Sequence, residues 1–278
     1  MFEFSKSDYD SLIPLYLSGE SEFPLIRAVI ESAQDGRIFV DRETDSESCI
    51  VFTKFGFTYL FGNQKNKKFN AEIANLIFKD SNLSLNYLLW YKPPICWTNK
   101  FNRFSQETFR LRERIRYKFD VSQFNQSKGP SIVSKYKLKR IDNTFVNRMS
   151  HFSIDFPTRF WRSPNDFLES GFGFCMLYKD TVVGICYTAC IASRLAEIDV
   201  ATLKEHRGNK IGRILTHTFI SYCLKNNIEP TWDCFSYNEP SKKIAEAMGF
   251  FKKERYPFYS FNRPIDQPEI LEDLLKWY

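Results

Sequence analysis

Apolar residues recur along this chain with two different periods, and the two periods predict interleaved helices and strands. Residues 23–31 and 69–78 carry apolar side chains at helical spacing. Short apolar runs bounded by turn-forming residues predict strands at 37–40, 49–53, 56–61 and 83–91. Residues 110–119 alternate basic with apolar side chains, which is typical of a strand with one solvated face. The first part of the chain is therefore predicted to be α/β.

The second half of the chain repeats this order of elements. A hairpin, a strand, a long helix, a strand, a helix and a closing strand are predicted at 172–191, 197–203, 208–226, 231–235, 241–248 and 258–262. A polar stretch at 122–131 is the best linker, and it separates an N-terminal α/β half at 1–125 from a second domain at 131–278. Both halves run helix, hairpin, helix, strand, so the sequence allows for a degenerate duplication.

The composition indicates a folded globular protein. Apolar residues make up 43% of the 278 positions and charged residues 26%, values typical of a chain that buries a core. The seven cysteines are irregularly spaced and no apolar leader opens the sequence, which favours reduced thiols in the cytoplasm. No window of 18 apolar residues occurs, so we expect no membrane partner.

The net charge of +6 suits an anionic ligand as well as it suits nucleic acid. Basic residues gather at 65–68 and along the strand at 110–118, where Glu107 and Glu113 dilute them. No known nucleic-acid reader motif accompanies them, so we expect a solvated strand face and no nucleic-acid partner. The three histidines and the cysteines form no metal-ligand spacing, and no metal is expected.

The most informative segment is the turn between the strand at 197–203 and the long helix. Such a turn points backbone N–H groups and the positive end of the helix dipole at one spot, which suits a diphosphate. Gly208 permits close approach of a ligand to the backbone. Arg207, Lys210 and Arg213 add positive charge. The turn is therefore a candidate anion-binding site.

This turn resembles the cofactor site of the GNAT acetyltransferase superfamily. Arg207, Lys210 and Gly212 follow the spacing of the family motif Arg/Gln-x-x-Gly-x-Gly/Ala, with Lys210 where the first glycine usually lies. Either Gly208 takes over the close approach or Lys210 tolerates the geometry. Asn238 then follows the second strand at family spacing.

The resemblance covers most of the chain and is strongest at 171–250, which ends in the pair Gly249-Phe250. The segment at 160–175 also resembles the subgroup that includes the zwittermicin A resistance acetyltransferase. Weaker similarity reaches back to about residues 28–62. The resemblance implies a GNAT fold, in which helices flank a mixed, centrally splayed sheet.

The resemblance further implies acetyl-CoA as cosubstrate and no metal. Backbone groups of the strand could pair with the pantetheine arm, and one N–H could polarise the thioester carbonyl. The implied cofactor-binding residues are Val200, Ala201, Thr202, Arg207, Gly208, Asn209, Lys210, Ile211, Gly212, Arg213 and Asn238.

Acyl transfer to an amine needs a base, because an ammonium has no lone pair with which to attack. Asp233, on the strand that flanks the thioester in the family, and Glu197, on the preceding strand, are the candidate catalytic residues. Asp199 is a further alternative, because alternation does not determine which face each carboxylate occupies in a strand that contains a bulge. Asp233 could instead pair with a basic side chain such as Arg255.

The family often protonates the departing thiolate with a tyrosine seven residues after the asparagine, and Ala245 stands there in this chain. Tyr237 and Tyr256 are candidate substitutes, although core packing is the commoner role of a tyrosine. Cys234 raises the alternative of an acyl-cysteine intermediate. No histidine lies close to it in sequence, so a buried core cysteine is favoured.

The expected activity is N-acetyl or short-acyl transfer from coenzyme A to a primary amine, by direct attack in a ternary complex. A small-molecule acceptor is expected, because the resemblance reaches an antibiotic-modifying enzyme. Two alternatives stay open. Ala245 and Lys210 leave room for a non-catalytic acyl-CoA sensor, and the acceptor could be a protein amine. The sequence leaves the oligomeric state open.

Overall fold

The computed structural model describes residues 1–19, 21–80, 83–126, 129–146, 156–263, 265 and 268–276. The chain forms two compact units, one of Met1–Glu113 with Tyr256–Tyr278 and the other of Arg114–Arg255. This division differs from the predicted one at 125 and 131. Residues 114–125 pack within the second unit, and the C-terminal segment belongs to the first.

The helices and strands are numbered in chain order. They are β1 (Phe2–Glu3), α1 (Ile13–Leu17), α2 (Pro24–Ile30), β2 (Gly36–Val40), β3 (Ser48–Thr53), β4 (Phe57–Gly62), α3 (Lys67–Phe78), β5 (Tyr87–Tyr91), α4 (Ile95–Phe101), β6 (Arg110–Phe119), α5 (Val121–Gln126), β7 (Tyr136–Arg140), α6 (Asn143–Val146), α7 (Pro164–Ser170), β8 (Gly173–Tyr178), β9 (Thr181–Ala192), β10 (Leu195–Thr202), α8 (Ile211–Lys225), β11 (Glu229–Phe235), α9 (Glu239–Ala247), β12 (Phe250–Asn262) and α10 (Pro268–Leu275).

The first unit is built on a sheet in the order β1–β2–β3–β4–β5–β12. Strands β4 and β5 are parallel, and the other neighbours are antiparallel. Aromatic side chains fill much of its core. Phe101 stacks on Phe109 with ring centroids 4.5 Å apart, and the buried Trp97 donates to Asn70 at 2.7 Å. Such pairs bury large areas, which accounts for part of the high aromatic content.

Arg263, directly after β12, ties the end of α3 to its surroundings. Its guanidinium donates to the carbonyls of Leu76 at 3.0 Å, Asp80 at 2.8 Å and Leu85 at 2.7 Å, and also to that of Ile77. The last carbonyls of a helix lack partners within the helix. The planar guanidinium therefore satisfies several of them at once.

The second unit has its strands in the order β12–β6–β11–β10–β9–β8–β7. Strands β10 and β11 are parallel, while β7–β8, β8–β9, β9–β10 and β6–β11 are antiparallel. Helix α8 packs its apolar face on this sheet. Gly184 of β9 allows this close approach, because a Cβ there would lie 2.5 Å from Ile211 Cγ2. The mixed sheet with flanking helices is the predicted architecture.

Strands β10 and β11 separate after a short parallel ladder. Leu195–Glu197 face Glu229–Thr231, and the register of β10 against β9 then shifts between Glu197 and Ile198. Within the described strands, residues 198–202 pair with β9 alone, and residues 232–235 pair with β6. A β-bulge bends its strand, which accounts for the splay. The splay leaves two strand edges open toward one cleft.

Several boundaries differ from the prediction. Residues 122–126 of the predicted linker are helical in α5, and Asp120 before this helix accepts from the backbone N–H of Ser122 at 2.8 Å. Strand β12 begins at Phe250, eight residues before the predicted closing strand, because pairing within the sheet extends its polar first half. Helices α1, α4 and α10 were not predicted.

We predict that Arg263→Ala lowers the free energy of unfolding by about 3 kcal/mol, because it leaves buried helix-end carbonyls without donors. Chemical denaturation followed by circular dichroism measures the effect. Arg103→Ala is the matched control, since Arg103 is 62% exposed and pairs with Asp273 at 3.2 Å. Its loss should cost less than about 1 kcal/mol. Equal effects of the two substitutions would contradict this assignment.

Candidate active site

The turn that leads into α8 holds two residues in the left-handed region. Gly208 has φ +82° and Lys210, the residue before the helix, has φ +61°. A lysine in this region is strained, whereas glycine is not. Gly208 is open on its Cα side, and Lys210 itself adopts a left-handed conformation. A Cβ on Gly208 would meet nothing within 4 Å.

Donor groups converge where α8 begins. Lys210 makes no side-chain cap, and the backbone N–H groups of Ile211, Gly212 and Arg213 donate to no group in the described part of the chain. Arg213 Nε is buried and also has no partner among the described residues. Unpaired N–H groups at a helix N-terminus bind anions well. These donors could hold an anion such as a diphosphate.

Two predicted cofactor residues stabilise the turn itself. Asn209 Nδ2 donates to the carbonyls of His206 at 3.1 Å and Arg207 at 3.3 Å. Arg207 Nε donates to the carbonyl of Thr202 at 3.2 Å, and the Arg207 side chain is otherwise exposed. Their hydrogen bonds hold the backbone in position for the donor groups.

The first turn of α8 lies against the open part of β10. A Cβ on Gly212 would lie 3.2 Å from Ile244 Cδ1, 3.7 Å from Thr202 Oγ1 and 4.0 Å from Val200 Cγ2. The predicted diphosphate and pantetheine residues are therefore brought together. Ala201, between Val200 and Thr202, pairs with Ile185 of β9. The opposite edge of this segment faces the splay.

Asn238 caps a helix. Its side-chain oxygen accepts from the backbone N–H of Ser241 at 3.2 Å at the start of α9. Asn238 is exposed, and its Nδ2 makes no hydrogen bond to the residues that the structure describes. The cap uses the acceptor of this amide and leaves the donor for a ligand.

One face of β11 carries the polar residues of the site. Trp232 and Cys234 belong to the core of the second unit. Because side chains alternate along a strand, Thr231, Asp233 and Phe235 lie on the opposite face. Asp233, one of the candidate bases, therefore lies on the face of β11 that points away from this core.

Asp233 is held in an ion-pair network. Arg114 Nε donates to Oδ1 at 2.6 Å, and Arg116 Nη2 donates to Oδ2 at 3.3 Å. The Asp233 side chain is 6% exposed. Charge-assisted hydrogen bonds of this kind are strong, and both carboxylate oxygens take part. Asp233 therefore pairs with basic side chains of β6, as one of its two sequence-based interpretations anticipates.

Glu197 lies at the bulge where the strands separate. It is 8% exposed, and its Oε2 accepts from Thr231 Oγ1 at 2.5 Å. Burial and the nearby Asp233 carboxylate raise the pKa of Glu197 to about 7. The Thr231 hydrogen bond and the charges of Arg116 and Arg114 oppose this rise. A carboxyl group poised near neutral pH can accept and release a proton.

Asp199, the third carboxylate considered, accepts a hydrogen bond from the Tyr187 hydroxyl at 2.7 Å. Tyr187 is fully buried and contacts the rings of Phe156 and Phe167. Burial and the Asp199 charge raise the pKa of this tyrosine well above its ordinary value. Tyr187 therefore stays protonated and holds Asp199 in place.

The structure also locates the candidate acids and the candidate nucleophile. Ala245 lies in the core of the second unit. Tyr237 is 60% exposed and stacks on Phe235, whereas Tyr256 is buried in the first unit. Burial raises the pKa of the Cys234 thiol. A raised pKa lowers the thiolate fraction, which favours the structural role of Cys234 over a nucleophilic one.

Sequence reasoning missed Arg114, Arg116 and Thr231. We expected the basic side chains of β6 to form a solvated face, but Arg114 and Arg116 are only 12% and 11% exposed. They are buried because they neutralise Asp233 on the neighbouring strand. The strict alternation of basic and apolar residues in β6 was the available signal. It does not reveal the register of β6 against β11, on which the pairing with Asp233 depends.

Other structural findings bear on the expected partners. All seven cysteines lie in described segments, and none forms a disulfide. No cluster of three or more metal-ligating side chains occurs in the described segments. The helices of the described segments include none long and apolar enough to cross a membrane.

The amino-acid sequence is similar to those of known acetyltransferases. A family model described as GNAT acetyltransferase matches residues 16–259. The uncharacterized N-acetyltransferase YdfB of Bacillus subtilis (strain 168) is 25% identical over 258 residues, which cover 92% of this chain and 97% of the relative.

Solved structures share the fold at low sequence identity. A GCN5-related N-acetyltransferase-like protein from Streptococcus suis has a TM-score of 0.70 at 19% identity, covering 92% of this chain and 99% of that one. A tandem GNAT protein from the clavulanic acid biosynthesis pathway has a TM-score of 0.66 at 10% identity, covering 94% and 95%. The tandem architecture of the second agrees with a duplication within this chain.

We predict that Glu197→Gln stabilises the protein increasingly as pH rises. The folded pKa of about 7 exceeds the ordinary value of 4.5, so the folded state binds more protons between these values and wild-type stability falls with rising pH. Glutamine does not ionise and can still accept from Thr231. The gain should grow between pH 5 and pH 8, to on the order of 3 kcal/mol.

Urea denaturation across this pH range measures the gain. Glu169→Gln is the matched control, because Glu169 is an exposed glutamate of the same unit, and it should change stability by less than about 0.5 kcal/mol. A pH-independent difference between wild type and Glu197→Gln would show that Glu197 has no raised pKa.

Proposed function

Because the chain belongs to the GNAT acetyltransferase family and is accordingly an acyltransferase, we propose that it transfers an acetyl or short acyl group to a primary amine of a small molecule. Coenzyme A supplies this group as a thioester. The observation that carries the proposal is the position of Glu197, a buried carboxyl group at the point where β10 and β11 separate. Its hydrogen bond from Thr231 of β11 and its pKa of about 7 suit Glu197 to proton transfer at this point.

The turn and the first residues of α8 would hold the diphosphate. Backbone N–H groups of Ile211, Gly212 and Arg213 supply donors, and the Lys210 and Arg213 side chains supply charge. The open strand edge of residues 200–202 would pair with the amides of the pantetheine arm. A backbone N–H of this edge would donate to the carbonyl oxygen as negative charge develops there.

We assign the role of base to Glu197 in preference to Asp233. A base needs a lone pair that is available to the substrate, and two guanidinium groups occupy the carboxylate of Asp233. The pKa of about 7 allows Glu197 to accept a proton from the ammonium or from a bridging water near neutral pH. Asp233 raises the pKa of Glu197 through its charge, so it acts on the base and not on the substrate.

Direct attack by the amine in a ternary complex is the proposed mechanism. The raised pKa of the Cys234 thiol disfavours an acyl-cysteine intermediate. The departing thiol needs no dedicated acid, because a free thiol has a pKa near 8.5 and its thiolate is tolerable near neutral pH. This agrees with Ala245 in place of a tyrosine.

A small-molecule acceptor is the finer part of the proposal. It rests on the resemblance of residues 160–175 to the zwittermicin A resistance subgroup. The aromatic cluster of Phe156, Phe160, Phe167 and Tyr187 lies beside Asp199 and would provide an apolar wall for the acceptor.

We place the protein in the cytoplasm, where unpaired cysteines stay reduced.

We predict that Glu197→Gln lowers kcat by about 10²–10³-fold and leaves the KM for acetyl-CoA within about threefold, because it removes a proton acceptor. Thr231→Val should raise the apparent pKa of the base in the pH profile of kcat/KM, and Thr231→Ser should restore it. Thiol release from acetyl-CoA with a panel of small primary amines and lysine peptides measures both effects.

Asp233→Asn is the comparison for this experiment. It leaves two buried guanidinium groups without a counter-charge, so it should lower stability by about 3 kcal/mol. Its loss of kcat should be smaller than that of Glu197→Gln. If Asp233→Asn abolishes turnover while Glu197→Gln retains it, Asp233 is the base. Turnover with peptides alone would replace the small-molecule acceptor with a protein amine.

We predict that Gly212→Glu weakens coenzyme A binding at least about tenfold, because the new carboxylate repels the diphosphate. Isothermal titration with coenzyme A measures the affinity. Gly212→Ala is the matched control, since the tightest contact of its Cβ is with the flexible end of Ile244, and it should bind within about threefold of wild type. Equal affinity of the glutamate variant would contradict the proposed diphosphate site.

A further inference from the structure

Asp199 is a carboxylate beside the candidate active site that the proposed reaction does not use. Ala196 and Ile198 of β10 belong to the core of the second unit. Because side chains alternate along a strand, Glu197 and Asp199 lie on the opposite face. Two residues of an extended strand span about 7 Å. Asp199 is therefore within reach of a small molecule whose amine lies at Glu197.

The contacts of the two carboxylates also place them on one face. Glu197 Oε2 accepts from Thr231 Oγ1, and Asp199 Oδ2 accepts from the Tyr187 hydroxyl at 2.7 Å. The next residue on β11 after Thr231 and the residue before Tyr187 on β9 both belong to the core. Thr231 and Tyr187 thus lie on the side of the sheet away from this core. Both carboxylates point to the side where the acceptor would bind.

Tyr187 holds the Asp199 carboxylate in one position. The two residues face each other directly in the ladder of β9 and β10. Tyr187 is fully buried, and its ring centroid lies 4.5 Å from that of Phe156 and 6.1 Å from that of Phe167. Burial raises the pKa of Tyr187 well above its ordinary value, so its hydroxyl stays protonated and donates. Apolar rings therefore surround the group that holds Asp199.

Asp199 has no cationic partner among the described residues. It forms no ion pair with them, and its Oδ1 accepts from none of their groups. The charge of Arg159 acts on Tyr187, but the Arg159 guanidinium lies over the Phe160 ring at 5.2 Å and forms no ion pair within the described chain. Asp233, by contrast, pairs with two guanidinium groups. A half-buried carboxylate beside apolar groups attracts a cation, because little water screens its charge.

We propose that Asp199 binds a second ammonium group of the acceptor, which makes the acceptor a small diamine. Such a role for Asp199 rests on the proposed function, because Glu197 must be the residue that meets the reacting amine. A carboxylate favours the protonated form of an amine beside it. The group at Asp199 therefore stays an ammonium and takes no part in acyl transfer, while the amine at Glu197 loses a proton. Asp199 thus selects the substrate on which Glu197 acts.

Isothermal titration into the full chain, with and without coenzyme A, tests the proposal without requiring turnover. The probes are the linear diamines putrescine and cadaverine, whose nitrogens lie about as far apart as two strand residues span, about 7 Å. Butylamine and pentylamine are the monoamines of matching length. At least one diamine should bind about tenfold or more tightly than its monoamine, because its second ammonium pairs with Asp199.

Asp199→Asn should reduce this preference to within about threefold, since asparagine can still accept from Tyr187 but carries no charge. Asp180→Asn is the matched control. It removes the same charge from an exposed turn residue of the same unit, and it should keep the wild-type preference. A preference that survives Asp199→Asn would overturn the proposal.

Two results with wild type alone would also overturn it, whether or not a variant folds. These are equal binding of diamine and monoamine, and no saturable binding of either diamine at about 10 mM. Thiol release from acetyl-CoA with the same amines tests the proposed function separately. Release without a diamine preference would overturn the role of Asp199 alone. A diamine preference that depends on Asp199, without release, would support this role and contradict the proposed acyl transfer.

Discussion

The separation of β10 from β11 after Glu197 is the constraint on which the rest of the site depends. Parallel strands normally satisfy one another's backbone groups, so two open edges inside a sheet are costly unless another group pairs with them. The bulge between Glu197 and Ile198 creates those edges at the position where α8 presents its unpaired N–H groups. The bulge therefore opens the cleft, and it also places the buried carboxyl group of Glu197 where the two strands separate.

Charge balance explains why a glutamate can remain buried at the bulge. Arg114 and Arg116 form ion pairs with the two carboxylate oxygens of Asp233, and this network places net positive charge on β6 next to the cleft. Glu197 receives less compensation, from Thr231 and from more distant guanidinium groups. Two carboxylates on neighbouring strands thus have different surroundings: Asp233 lies in an ion-pair network, whereas Glu197 is buried and has a raised pKa.

Local features of the candidate site could be predicted from the sequence, and non-local ones could not. The turn and α8 were predictable because a glycine-containing turn before an amphipathic helix is encoded within about 25 residues. The pairing of Arg114 and Arg116 with Asp233 joins residues 119 and 117 positions apart, so it depends on strand order and register. The left-handed conformation of Lys210 could be anticipated only as one of two alternatives, because lysine rarely adopts it.

Hydrogen–deuterium exchange with and without coenzyme A tests whether the open edge of β10 and the start of α8 bind this cosubstrate, since it monitors backbone N–H groups one segment at a time. We predict that coenzyme A slows amide exchange in residues 198–202 of β10 and 211–213 of α8. Strand β4 of the first unit should exchange as before. Unchanged exchange in both predicted segments, or slowing confined to β4, would show that coenzyme A does not bind there.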